Sequence, residues 1–488
     1  MAENEIVVPL SKVLAAESGK TNNKYIELLE EEDIPILCIN RGMQKKRLMP
    51  FKVLYDNNPN FYQKSGAWEY FLTGDSYNKL KEKSIVKLGS WDFEMPWGMK
   101  EPEFKKKKED DVEELDAATA DDIASFGDEY RAFSEMSIDD KVTYLNNDRD
   151  RLNEILANPK SATKAEITEA LVDTAKDAAL INHAALEDAL HHADDEAKKI
   201  TQGLVDSTHD MIKSSAQIVA NDIFGNDLMN TLVEKSNGTI IQHMTRVYLN
   251  GIAFLAYYNK LVSESSTIQK LRISFASKYR DFYRALLPHI HADDIDLERV
   301  FFGGMRAIPP DLYFKWAVGF LIHDIGKASA VEYHEGEEKY NRQIVIDHVK
   351  QGYKSIMTKT NYPMEASLIT GYHHEYYGDP DGYGYFRAYL TQYKKDNPHA
   401  KPAHCITYDL EPILDYHAIA YFPAKVLEII DVYDSVTDPN RVYRKPMKPD
   451  EALAMMREQF CEKHHKIDVI LFDIFARFIY EKERQKKK

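Results

Sequence analysis

FLIHDIGK, from Phe320 to Lys327, places adjacent His323 and Asp324 where an apolar helix gives out, with Gly326 ending or bending it. The preceding residues, Trp316 to Gly319, extend the same apolar run, so the segment reads as a buried helix in a helix-rich region. Delivering two polar side chains from such a helix is costly unless something binds them. Neighbouring side chains diverge by about 100° on a helix, so both can approach a cation only if the helix stops there. The pair alone carries little: His209-Asp210 repeats it inside a polar helical stretch, where it reads as solvated.

Outward from this pair the arrangement recurs. His348 stands in IVIDHVKQGYKSI, His373, His374 and Glu375 in ITGYHHEYYGDPDGYG, and Asp431 and Asp434 in VLEIIDVYDSVT, each after an apolar helical run. A core histidine satisfied by a carbonyl explains one of these. A series of imidazoles and carboxylates at successive helix ends points instead to metal ligation. Mixed His and carboxylate donors suit iron, manganese or related divalent ions, and a binuclear site is the economical reading. The three cysteines, Cys38, Cys405 and Cys461, are far apart and odd in number, so neither a disulfide framework nor a CxxC zinc site is available.

The chain has 488 residues, a length that suggests two or three domains. Its 63 Lys and Arg against 79 Asp and Glu leave a net charge of −16, which argues against a duplex nucleic acid partner. No run approaches the roughly 18 apolar residues of a membrane span, and the start MAENEIVVPL lacks a basic region followed by an apolar stretch. A cytoplasmic location is expected. Residues 1–100 read as a small α+β regulatory module, with β-leaning runs YIELL, IPILCIN and KVLYD between residues 24 and 75. Residues 101–160, beginning EPEFKKKKEDD, read as a charged linker. Residues 161–237 read as a helical connector whose amphipathic helices suggest a homodimer, and residues 238–488 as an all-helical catalytic domain, making the chain mainly α.

The order of these motifs resembles the HD superfamily of metal-dependent phosphohydrolases, and within it the HD-GYP family of cyclic di-GMP phosphodiesterases. The matching residues are HDIGK at 323–327, HVKQG from His348, HHE at 373–375 followed by DGYG at 381–384, and DVYDSVT at 431–437, with RVYRKPMKPDEAL from Arg441 behind them. The resemblance covers about residues 238 to 480 and implies an HD-type helical domain binding two divalent ions, iron or manganese. Carried over by residue, it implies metal ligation by His243, His323, Asp324, His348, His373, His374 and Asp431, with Asp324 bridging and catalytic. It also implies that Lys327, Arg441, Arg444 and Lys445 hold the phosphate of a cyclic dinucleotide. Tyr383 could stack on guanine, and the loop around it could meet signalling partner proteins.

Three features depart from the family pattern. Thr239 stands where some members use a Glu for a third ion, which implies two ions here. Insertions interrupt the pattern at about 260–310 and 385–412, lengthening the step from His243 to His323 and making His289 and His291 competitors with a surface-like setting. Gly384 replaces the Pro of GYP, and Gly is expected to loosen the loop. The expected activity is hydrolysis of cyclic di-GMP to pGpG or GMP. A different nucleotide substrate, a catalytically silent nucleotide sensor or scaffold, and a diiron oxygenase stand as alternatives, with Lys327 and the Arg cluster favouring phosphate over oxygen chemistry.

Overall fold

The computed structural model describes residues 7–14, 26, 29, 34–40, 45–58, 61–63, 68–73, 76, 128–221, 240–327, 342–379, 381–386, 394, 397–414, 416–438 and 445–486. It is mainly α-helical and divides into two compact units, Met1–Phe104 and Lys105–Lys488. No helix among the described residues is long and apolar enough to cross a membrane.

The first unit contains an antiparallel sheet of order β1-β4-β2-β3, from β1 (Val7–Pro9), β2 (Pro35–Asn40), β3 (Lys45–Pro50) and β4 (Glu69–Thr73). Cys38 of β2 faces Arg47 on one side and Tyr70 on the other. Ile36 and Cys38, two apart, point to one face and bury against Leu10 and Leu14 of α1 (Leu10–Leu14) and Phe51. IPILCIN thus forms a strand, but KVLYD does not. It lies in α2 (Phe51–Asn57), which starts after Pro50 and turns Phe51, Leu54 and Tyr55 toward the core at helical spacing. The YIELL run lies largely outside the described residues.

In the second unit, helix begins inside the stretch read as linker, with α3 (Asp128–Ser134) and α4 (Ile138–Ala157). The composition of α4 is polar because it buries few apolar side chains, Leu145 and Leu152, two turns apart on one face. Ser137 caps its start by accepting from the Asp140 N–H. A reciprocal cap, Thr163 with Glu166, opens α5 (Lys164–Leu190). The chain breaks at His191 and resumes as α6 (Asp194–Asn221), whose first turn carries three acidic residues suited to the positive end of a helix. These helices pack on one another and on α7 (Ile240–Ser263), within the unit that holds the histidines. Thr201 Oγ1 donates to Lys359 O at 3.0 Å, and Asn182 Nδ2 donates to Thr208 Oγ1 at 3.0 Å.

The unit continues with α8 (Ser265–Lys278), α9 (Arg280–Leu286), α10 (Pro310–Ile322), α11 (Arg342–Lys359), α12 (Met364–Tyr372), α13 (Phe422–Thr437), α14 (Pro449–Met456) and α15 (Val469–Lys486), of which α8, α10, α13 and α15 pack on α7. The two segments expected as insertions, 260–310 and 385–412, meet each other. Phe302 N–H donates to Ile406 O at 2.8 Å, beside a parallel pair of strands, β5 (His404–Thr407) and β6 (Ala418–Tyr421). His289 Nε2 lies 2.9 Å from Pro402 O, and His291 is exposed, so both competitors belong to insertion surfaces.

Candidate metal centre

α10 is apolar and almost wholly buried from Tyr313 onward, and it gives out at His323. The chain then folds into a tight turn, Ile325 N–H to Ile322 O at 3.0 Å and Lys327 N–H to Asp324 O at 2.9 Å. Gly326 lets this turn lie directly on α11. A Cβ there would come within 2.0 Å of His348 O and 2.3 Å of the Gly352 N, so backbone meets backbone where any side chain would intrude. That approach brings His348 to Asp324, with Nε2 3.2 Å from Oδ1.

α12 ends at His373 and supplies two adjacent imidazoles. His373 Nε2 lies 3.3 Å from His348 Nε2 and 3.8 Å from Asp324 Oδ1. His374 Nε2 lies 3.8 Å from Asp431 Oδ2 on α13. From the other side, α7 presents His243, whose Nε2 is 3.4 Å from Asp324 Oδ2 and 3.0 Å from Asp431 Oδ1, while His323 Nε2 is 3.5 Å from Asp324 Oδ2. The residues form two buried groups, His243 with His323 and Asp324, and His348 with His373 and His374, each able to hold a metal ion. Asp324 turns one oxygen to each group, and Asp431 does the same.

The hydrogen bonds at the far side of the rings set which nitrogen carries the proton. His323 Nδ1 faces Phe320 O at 3.0 Å, and His373 Nδ1 faces Thr370 O at 2.6 Å. A carbonyl can only accept, so both Nδ1 atoms carry the proton and both Nε2 atoms present lone pairs inward. His243 Nδ1 donates to Asp434 Oδ2 at 2.8 Å, and Arg246 binds the same carboxylate through Nε at 2.7 Å and a terminal nitrogen at 2.9 Å. His323 Nε2 is buried and makes no hydrogen bond. Ring nitrogens and carboxylates thus converge with 3.0 to 3.5 Å between them. An ion with bonds of about 2.1 Å spaces its ligand atoms by roughly 3.0 to 3.4 Å, so the donor set fits a cation.

The charge balance points the same way. Burial pushes His323 down to about 3 and His348 down to about 4, keeping both rings neutral. Burial works against the Asp324 carboxylate, but Lys327 and then His323 hold it well below the usual range. Lys327 Nζ donates to Asp324 Oδ2 at 2.6 Å. Burial also opposes charge on His243, yet hydrogen bonds to Asp324, Asp431 and Asp434 raise it to about 10.

No protein-family model, curated protein or solved structure matches this chain. Its own geometry therefore carries the reading of the site.

All seven residues expected as ligands are brought together, and Lys327 with them. Tyr383 is also here, but its ring stacks on His374, 4.3 Å between centroids, and is almost buried. Lys445 is exposed, and Arg441 and Arg444 lie outside the described residues. The His209-Asp210 pair is partly exposed.

Two further residues bear on the site. Asp434 read as one more ligand candidate, but its oxygens are taken by His243 Nδ1 and Arg246. His183, alone in an Ala-rich run of α5, is buried near enough to Asp324 to feel its charge, though burial dominates and lowers the ring to about 4.

After the two adjacent imidazoles the chain makes a left-handed turn, Tyr376 at φ 49°, Tyr377 at φ 53° and Gly378 at φ 81°. For tyrosine this costs roughly 1–3 kcal/mol per residue. The loop then returns over His374, with the N–H groups of Tyr383 and Gly384 donating to its carbonyl at 2.9 and 3.0 Å. Gly384 is not loose: a Cβ there would lie 2.9 Å from the backbone of Glu375 and 2.3 Å from its Oε2. Gly384→Pro should therefore destabilise the protein by roughly 2–5 kcal/mol, through overpacking and loss of the N–H. A urea midpoint equal to that of the native chain would contradict this.

Proposed function

We propose that this chain is a metal-dependent phosphodiesterase of HD-GYP type that opens cyclic di-GMP to pGpG and carries it toward GMP. One observation carries the reading: Asp324 is shared between two buried ligand groups, Oδ1 toward His348 and Oδ2 toward His243 and His323. Bound there, two divalent ions, iron or manganese, would supply Lewis acidity toward the phosphoryl oxygens and a nucleophile at neutral pH.

The protein's own part is positioning and charge. Asp324 orients the attacking water, whose proton passes to the leaving oxygen. A P–O bond forms to the water oxygen, the bond from phosphorus to the 3′ oxygen breaks, and the leaving oxygen takes up a proton. Lys327, at the rim of the buried cluster, sets a point charge against the phosphate as Asp324 gives up part of its hold. By the resemblance, Arg441, Arg444 and Lys445 would also hold the phosphate, against a net charge of −16. The N-terminal unit regulates, and the loop around Tyr383 is where partner proteins read the state of the site.

The deciding experiment is anaerobic purification, metal analysis and chromatography of cyclic di-GMP incubated with iron or manganese. Two ions per chain with pGpG or GMP appearing is the expected result. Two ions with intact nucleotide would overturn the substrate, and a chain that takes up no ion would overturn the whole reading.

A further inference from the structure

We propose that Glu428, paired with Lys425, is a positioning residue for His374, acting through the left-handed turn at Tyr376 and Tyr377. The proposal rests on the reading of His374 as a metal ligand. Lys425 and Glu428 lie one turn apart on α13 and are both buried, with Nζ donating to Oε2 at 2.7 Å. A buried ion pair is weak evidence of stabilisation, because an apolar pair of similar volume often does as well. Its placement gives it a different task.

With Oε2 taken by Lys425, Oε1 accepts the N–H of Tyr376 at 3.2 Å. Lys425 Nζ also stands 3.9 Å from the centre of the Tyr377 ring, and the Tyr377 hydroxyl donates to Asp468 Oδ2 at 2.8 Å. Two tyrosines in the left-handed region are thereby held by contacts on backbone, ring face and hydroxyl. The consequence falls on His374. Tyr376, folded back by its φ of 49°, brings its hydroxyl oxygen to 3.3 Å from His374 Nδ1. Accepting the Nδ1 proton there leaves Nε2 as the inward lone pair, the task that Phe320 O and Thr370 O perform for His323 and His373. Asp431 follows Glu428 by one turn on the same helix, so α13 sets one carboxylate ligand directly and one imidazole ligand through the turn.

The test compares Lys425→Met/Glu428→Gln with Lys425→Met/Glu428→Met. Both double variants remove the Lys425–Glu428 pair together, with the same losses at Lys466 O and Asp468, and only the first keeps an acceptor for the Tyr376 N–H. Manganese titration of metal-depleted protein, followed by calorimetry and by the electron paramagnetic resonance signal of free Mn²⁺, should show two ions bound by the Gln variant, which sets the reference for the loss of Lys425. The Met variant should bind one ion normally and the other about 10- to 100-fold more weakly. Equal affinities in the two would overturn the proposal. Should the Met variant fail to fold, Tyr376→Phe carries the test, with about tenfold weakening of one ion expected and native affinity for both overturning the proposal. His374→Ala separates the premise: if it binds both ions as tightly as the native chain, His374 is not a ligand and the assignment falls with it.

Discussion

Asp324→Ala should lose both metal ions and, with them, at least about a thousandfold of phosphodiesterase activity. Among the described side chains it meets both groups most closely, ahead of Asp431. Its Oδ1 is 3.2 Å from His348 Nε2, its Oδ2 is 3.4 and 3.5 Å from the Nε2 atoms of His243 and His323, and Lys327 Nζ is 2.6 Å away. Removing it takes away the negative charge that the two groups share and leaves Lys327 facing the neutral rings of His323 and His348. Both changes raise the cost of a divalent charge, so the two affinities should fall together. His209→Ala, which alters the other His-Asp pair, should leave metal content and turnover unchanged because that ring is partly exposed on α6. Metal analysis and turnover of the two variants, with circular dichroism to confirm folding, make the comparison. An Asp324→Ala protein that keeps one ion at native affinity would mean that the carboxylate is not shared.

Why Asp324 was legible from sequence and its surroundings were not follows from how each residue spends its polar atoms. His323, Asp324, His348, His373, His374 and Asp431 sit on or beyond apolar helices, so their polarity is conspicuous against Phe320 or Ile430. His243 lies within a mixed helix and emerged only through the family pattern. Asp434 has the residue type and spacing of a ligand; only the position of Arg246, 188 residues away in sequence, shows that its oxygens are occupied. Tyrosine carries no signal for positive φ, which left the turn at Tyr376 and Tyr377 invisible. Gly384 was read by its intrinsic freedom, whereas packing against Glu375 decides its behaviour. The helix at Ile138–Ala157 hid for the opposite reason, burying too little apolar surface to stand out among its charges.

Metal binding should release about one proton per chain near neutral pH, and the release should come from His243. In the metal-free protein burial opposes charge on that ring, but hydrogen bonds to Asp324, Asp431 and Asp434 raise it to about 10, so it is an imidazolium at pH 7. His323 and His348 are lowered to about 3 and about 4 by burial and are already neutral. A cation entering between His243 and Asp324 has to displace the His243 proton, so its apparent affinity should rise about tenfold per pH unit from about 6.5 to 9. The part of the affinity that rests on His348 and His374, both lowered by burial, should stay nearly flat over the same range. The linkage has a second face: a ring whose pKa rises on folding stabilises the metal-free chain fully below about 6.5, and that contribution is lost as pH climbs through about 10. Alkaline conditions should therefore weaken the metal-free fold while strengthening its hold on the first ion. Manganese calorimetry at pH 7.5 in two buffers of different ionisation enthalpy counts the protons directly. A count of zero with two ions bound would show that His243 is neutral before the metal arrives, and that the three carboxylates around it are balanced by some other charge.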